Sequence, residues 1–310
     1  MSVARKLLLA MSTNAWLRDR ATKTAFVRRS VSAFMPGERV EDAIAAASEQ
    51  QRQGIGTMFT RLGENLTSLD EAEEVTQHYL GVLDKIAAAG LDAQISVKPT
   101  QLGLDLDKEL CFRNLQRLVD RAAARRNFVW IDMESSPYVE PTLDLFQRTR
   151  ARSPLVGVAL QAYLYRTAQD IESLLPLGSA IRLVKGAYLE PATIAYPKKA
   201  DVDENYYKLS CRLLADDALG AGGLLHIATH DPRLVGRLNA FIVERGVPTG
   251  AYEYAMLYGI QRALQLRLAR EGRRIRVLIA YGEYWFAWYM RRLAERPANV
   301  WFVVKNAIAG

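Results

Sequence analysis

Residues 93–132 read AQISVKPTQLGLDLDKELCFRNLQRLVDRAAARRNFVWID: a β-type run (Ala93–Lys98), a segment of helical periodicity, and a second β-type run (Phe128–Asp132). The same alternation recurs along the chain. Further β-type runs stand at Ile55–Phe59, Val156–Gln161, Ile181–Lys185, Leu224–Thr229, Thr249–Tyr252 and Ile275–Ala280, with helical segments between them. Ser68-x-x-Glu71 predicts a capping box on a helix that Gly90 ends, and Asp231-Pro232 predicts an N-cap followed by a first-turn proline. Eight strands, each followed by a helix, predict an α/β fold closed into a parallel (β/α)8 barrel, because an open sheet of that size leaves two long edges to protect.

A chain of 310 residues, half of them apolar, suits one barrel-sized domain with a small extension. Residues 1–40 read as a basic N-terminal helical arm that ends at the breaker Met35-Pro36-Gly37-Glu38, and residues 41–310 read as the barrel. The 41 Lys and Arg against 34 Asp and Glu give a net charge of +7, which favours an anionic partner, cofactor or membrane surface. Arg5, Lys6, Arg18, Arg20, Lys23, Arg28 and Arg29 face only Asp19 in the first 30 residues, so the arm is either a solvated helix or a membrane-surface contact. Cys111 and Cys211 lack any CxxC or Cys/His metal spacing and read as small buried hydrophobes in a reducing compartment. With no run of about 18 apolar residues, the chain reads as cytoplasmic and soluble. Neither a metal triad, nor a phosphate-cradling glycine loop, nor a nucleic-acid motif is present.

Polar residues fall at the ends of the β-type runs. Lys98, Asp132, Gln161, Lys185, Thr229 with His230, and Glu253 all point to the rim where barrels of this kind carry their active sites. Any one of them could be a strand-end group bonded to backbone; the set together indicates a site. His226, inside the sixth run, reads as packing. Near the C-terminus, the stretch YGEYWFAWYMRRLAE (residues 281–295) predicts a helix over Tyr284–Arg296 with Phe286, Tyr289, Met290 and Leu293 on one arc and Tyr284, Trp285, Trp288, Arg291, Arg292 and Glu295 on the other. Adjacent arginines are ordinarily solvated charges, but tryptophans beside them suit a covered, anion-binding surface.

Several segments carry a more specific signal: RLVKGAY (182–188), SVK (96–98), IDME (131–134), LQAYLYRT (160–167), Thr229-His230, LYGI (257–260) and YMRRLAERPAN (289–299). In this order, over residues 30–305, they resemble the flavin-dependent proline dehydrogenases of the monofunctional bacterial type. The resemblance implies a (β/α)8 barrel that binds FAD, oxidises L-proline to Δ1-pyrroline-5-carboxylate in proline catabolism and passes electrons to a membrane quinone. It implies that Arg291 and Arg292, joined by Lys98, grip the substrate carboxylate, for which a guanidinium fork is well matched. It places Arg182 beside the flavin ring, with Asp132 as the acidic member of the same site. Met133, Gln161, Val184, Lys185, Gly186, Ala187, Thr229 and His230 match further FAD contacts, Gly186 because backbone without a Cβ can approach a flat cofactor. Tyr188 and Leu257 match residues that touch the substrate ring. A quinone acceptor further implies peripheral contact with the inner face of the membrane, for which the basic arm is the candidate.

The sequence departs from that pattern around the substrate ring. Leu278 and Trp288 each stand where the family usually has a tyrosine, Ala255 where it has a glutamine, and Pro99 where leucine is common. Leu278 removes a hydroxyl and much of a ring from one wall, and Trp288 adds bulk to another. The substrate is therefore expected to be a cyclic secondary amino acid, with hydroxyproline or another such amino acid open beside proline. Two readings from other classes stand against this one: a Schiff-base lyase using Lys98 or Lys185, and a non-catalytic basic protein.

Overall fold

The computed structural model describes residues 31–63, 66–286 and 288–290. Among the described residues, helix α1 (Val40–Arg52) leads into strand β1 (Gly56–Arg61). Seven strand repeats follow: α2 (Leu69–Ala88) and β2 (Ala93–Val97), α3 (Lys108–Ala124) and β3 (Val129–Ile131), α4 (Val139–Arg150) and β4 (Val156–Gln161), and α5 (Thr167–Leu174) and β5 (Ala180–Val184). The chain continues through α6 (Lys199–Leu213) and α7 (Asp216–Gly220) to β6 (Leu224–Ala228), then α8 (Pro232–Glu244), β7 (Tyr252–Leu257), α9 (Arg262–Arg270) and β8 (Ile275–Tyr281). All neighbouring strands pair in parallel, and β8 closes on β1 with Gly56 opposite Arg276 and Arg61 opposite Tyr281. The (β/α)8 barrel expected from the eight runs is the fold observed.

The helix starts follow the local chemistry. The Ser68 hydroxyl accepts from Glu71 N at 3.3 Å at the head of α2, and Glu71 answers by accepting from Thr67 N at 2.6 Å. Asp107 caps α3 by accepting from the amides of Glu109 and Leu110, and Asp231 caps α8 by accepting from Arg233 N. The main core lies between the strands and the helices, where Phe59, Ile95, Val97, Val158 and Ile227 meet residues such as Tyr79, Leu83, Leu118 and Phe146. Alternate strand residues point into the barrel, where Met58, Trp130, Ala180 and Ala255 form a separate cluster.

One strand is displaced from its expected position. Residues 249–251 form a 3-10 turn, and β7 runs from Tyr252 to Leu257. Glu253 consequently lies near the start of the strand instead of following its end, so it does not belong to the catalytic rim. It is 3% exposed inside the barrel, where Arg276 Nε donates to it at 3.1 Å and His226 Nε2 lies 2.9 Å from the same oxygen. Arg276 also donates to Thr57 O and to Asp92. Burial alone would raise the Glu253 carboxyl, but contact with His226 and Arg276 brings it down to about 2. Burial drives His226 the opposite way to its charged form, holding the imidazole neutral with a pKa of about 4.

These shifts fix a pH dependence. The His226 pKa falls from 6.5 when unfolded to about 4 when folded, so between those values the unfolded chain binds the extra proton and acid favours unfolding. His78 is depressed to about 4 by burial and acts in the same window, while Glu253 extends the loss below 4.5. Stability is expected to be full above pH 6.5 and to fall by on the order of a few kcal/mol toward pH 4, as read from urea midpoints. His226→Gln should flatten that slope; a midpoint independent of pH from 7 to 4 would contradict the assignment.

Candidate active site

The centre of the upper barrel is an ion pair. Arg182, on β5 and 5% exposed, donates through Nη2 to Asp132 Oδ1, the residue immediately after β3. Ser96, on β2, ties the two together: its hydroxyl donates to Asp132 at 2.9 Å and accepts from Arg182 Nη2 at 3.0 Å. Arg182 Nη1 lies 3.5 Å from Met58 Sδ, and its guanidinium stands 5.3 Å from the Trp130 ring centroid. Burial pulls the Arg182 pKa down and the Asp132 charge opposes that pull. A cation is thus held in the middle of the barrel mouth with few rotamers open to it.

Around this pair the mouth divides by polarity. The β2–β5 side carries Lys98 just after β2, Asp132 after β3, Gln161 at the end of β4 and Arg182 on β5. Gln161 is 3% exposed; its amide nitrogen donates to Glu134 O at 3.2 Å, while its Oε1 has no partner among the described residues. That oxygen faces an unmet need for a donor, since a buried acceptor left alone is costly. The β6–β1 side is apolar: Leu278 pairs in register with Leu257 on one side and Met58 on the other, and Ala228 pairs with Ala255.

The loops above the strands are pinned. His230 Nε2 accepts from Leu257 N at 2.9 Å, which joins the ends of β6 and β7 and makes Nδ1 the protonated ring nitrogen of the neutral form. Lys185 Nζ donates to Asp203 at 2.5 Å and to Asp231 at 3.2 Å, and Lys199 reaches the same two carboxylates. Such a Lys185 is a structural cross-link, not an amine poised to attack a carbonyl. Glu190 accepts from both the amide and the hydroxyl of Ser136 at 2.7 Å, fixing the loop after β5 to the loop after β3.

Residues 43–305 match the family model described as proline dehydrogenase. The chain belongs to the proline dehydrogenase family. The proline dehydrogenase of Deinococcus radiodurans is 39% identical to it over 282 residues, spanning 89% of each chain. Proline dehydrogenase 2 of Bacillus subtilis subsp. natto is 36% identical over 306 residues, 99% of each chain. The crystal structure of proline utilization A from Bdellovibrio bacteriovorus, inactivated by N-propargylglycine, superposes with a TM-score of 0.80 at 23% identity, covering 94% of this chain and 36% of that one, a likeness of fold.

Set on this proline dehydrogenase fold, the residues singled out from sequence fall as follows. Met133 is buried beside Asp132, and Val184, Lys185, Gly186, Ala187 and half-buried Tyr188 run consecutively off the end of β5. Thr229 accepts from Asp231 N at 3.2 Å just after β6. Leu257 ends β7, Leu278 sits mid-way along β8, and Trp288 is buried in a helical turn beyond β8. Arg291 and Arg292 lie outside the described residues. Gly186 has a reason that sequence did not suggest: at φ 114°, a Cβ there would lie 2.2 Å from the Tyr163 ring. The close approach it permits is to that tyrosine.

Sequence reasoning gave no role to Ser96, Trp130 or Glu134. Glu134, 6% exposed, accepts from the amide and hydroxyl of Thr100 at 3.2 and 2.8 Å, and its carbonyl holds Gln161. Ser96 and Trp130 carried one usable signal: each stands two residues before a rim residue, on the same inward face of its strand.

Proposed function

We propose that this chain is an FAD-dependent oxidoreductase that oxidises L-proline or a close cyclic relative to the corresponding imino acid. The observation that carries the reading is the buried Arg182–Asp132–Ser96 arrangement at the C-terminal mouth of a proline dehydrogenase family barrel. The residues present fit a flavin. The unpartnered, buried Gln161 Oε1 suits a ring N–H donor, and Arg182 is a fixed cation suited to the negative charge that a flavin gains on reduction. Met133, Val184, Lys185, Gly186, Ala187, Thr229 and His230 would complete its contacts. When bound, FAD would supply the two-electron oxidising power that protein side chains lack.

The chain's own part is positioning and electrostatics. Lys98, with Arg291 and Arg292, would clamp the substrate carboxylate, which fixes the ring carbon beside the amine for loss of hydride as the amine loses its proton. Tyr188, Leu257, Leu278 and Trp288 would enclose the ring. The apolar character of the Leu278 wall favours a bare ring over a hydroxylated one, since a hydroxyl buried there would find no partner on that face. Turnover of a panel of cyclic amino acids tests the reading. Proline is expected to exceed hydroxyproline in kcat/KM by about tenfold or more. Leu278→Tyr is expected to shift that ratio several-fold by returning a hydroxyl to the wall; an unchanged ratio would remove Leu278 from the pocket.

We further infer that electrons pass to a membrane quinone and that the basic residues 1–30 supply a reversible membrane contact. Support comes from their charge and interleaved apolar residues; among the described residues, no helix is long and apolar enough to cross a membrane. Removing residues 1–30 is expected to weaken binding to anionic vesicles at least tenfold, because each basic residue near such a surface contributes about 1 kcal/mol. Equal binding by both forms would refute the contact.

A further inference from the structure

A second apolar core stands apart from the main one, above the barrel mouth. Its members are Val31, Phe34 and Met35 ahead of α1, Leu62 and Ile260 beyond β1 and β7, Ala280 near the end of β8, and Trp285, Phe286, Trp288, Tyr289 and Met290 beyond β8. The Phe34 ring lies 6.3 Å from that of Tyr289, and Tyr289 meets Trp285 edge-on at 6.3 Å. Trp285 is 3% exposed, and its indole nitrogen donates to Glu38 Oε1 at 2.9 Å. The same segment presses on the turn after β7: Gly259, at φ 75°, has Ala33 O so near that a Cβ would lie 1.7 Å from it.

Trp288 belongs to this core, and partly buried Leu257 packs against it. Trp285 and Trp288 are three residues apart on the helical turn and share a face, with Tyr289 beside them, so whatever fixes Trp285 also fixes the direction of Trp288. Glu38 itself is exposed, and among the contacts it makes is one to a buried indole more than 240 positions away. Segment 31–38 therefore acts on the mouth of the barrel while contributing little to its main core.

We propose that residues 31–38 are a positioning element for the substrate pocket, with Glu38 as the positioning residue that sets Trp285 and, through it, Trp288 against the substrate ring. The inference rests on the functional reading above. Misplacing a pocket wall by a fraction of an ångström weakens substrate binding while leaving the flavin contacts on β3–β6 untouched.

The test uses the full-length FAD-loaded protein with Glu38→Ala, Glu38→Gln and Trp285→Phe. Calorimetry reads binding of tetrahydrofuran-2-carboxylate, a ring-oxygen analogue of proline that lacks the amine, and steady-state kinetics read KM and kcat for proline. Glu38→Ala is expected to raise the analogue Kd and the proline KM roughly fivefold to tenfold, with kcat and FAD content within about twofold of the unaltered protein. Glu38→Gln, which keeps an acceptor, should restore near-normal binding. Trp285→Phe should add little to Glu38→Ala, because both remove one interaction. Unchanged binding in Glu38→Ala, additive losses in the double variant, or FAD affinity falling in step with analogue affinity would each overturn the inference. If the unaltered protein binds neither analogue nor proline, the functional reading fails and takes this inference with it.

Discussion

Arg182→Ala is expected to slow reduction of the bound flavin by proline by about 10²–10³-fold, the scale of removing one preorganised charge from a site where charge develops. The side chain is 5% exposed and held by Asp132, Ser96 and the sulfur of Met58, so its charge is fixed in place before any charge develops beside it. The same change leaves Asp132 without its counter-charge, and breaking a buried pair costs about 3–5 kcal/mol of stability. Lower activity from unfolding must therefore be separated from lower activity in folded enzyme. Arg182→Lys does this, since it keeps the charge but loses the fork that reaches Asp132 and Ser96 together. It is expected to fold and to remain slow. In the pair Arg182→Met with Asp132→Asn, the stability loss should be smaller than the sum of the single losses, while the rate loss persists. Rapid-mixing measurement of flavin reduction, alongside urea midpoints, reads both quantities.

Glu253→Ala should have the opposite profile. The carboxylate lies low in the barrel, held down at about 2 by His226 and Arg276, so its removal strands a 4%-exposed guanidinium that then relies on Thr57 O and Asp92. A loss of about 3–5 kcal/mol is expected in urea unfolding, with flavin reduction per folded molecule changed less than about threefold. Replacing the pair together, Glu253→Leu with Arg276→Met, should recover much of the loss, because a buried ion pair exchanged for apolar side chains of similar volume is often neutral. A loss under about 1 kcal/mol for Glu253→Ala would show that the network is solvated in solution. The two profiles divide the barrel as its architecture suggests, with chemistry at the C-terminal ends of the strands and stability toward the N-terminal ends.

Glu253 also shows where sequence reading stopped. Seven strands were legible because each holds a short run rich in apolar and β-branched residues between turn signals, a local signal. In the seventh, YEYAML, the charge at the second position directly follows the run Thr249–Tyr252 and so reads as that run's end. What makes it tolerable inside the barrel is Arg276 on β8 and His226 on β6, and pairing across strands is invisible until the sheet is closed. The rim was legible for the same local reason, since Lys98, Asp132, Gln161 and Thr229 directly follow or end apolar runs. Ser96 was not, because a serine gains meaning only from the two charged groups that closure brings to it. The need for glycine at position 186 that the structure shows was not legible either, because it comes from the Tyr163 ring, which the turn after β4 delivers there. Lys185, open as a nucleophile in sequence, is committed to Asp203 and Asp231 by the helices that follow β5 and β6.

Anaerobic titration of the purified, FAD-reconstituted protein with L-proline tests the central claim most directly. The protein is predicted to be yellow, and its flavin absorption near 450 nm (about the usual flavin band) to bleach to the two-electron reduced form as proline is added. A protein that takes up no FAD, or whose flavin band stays unbleached by proline and by every other cyclic amino acid, would contradict it.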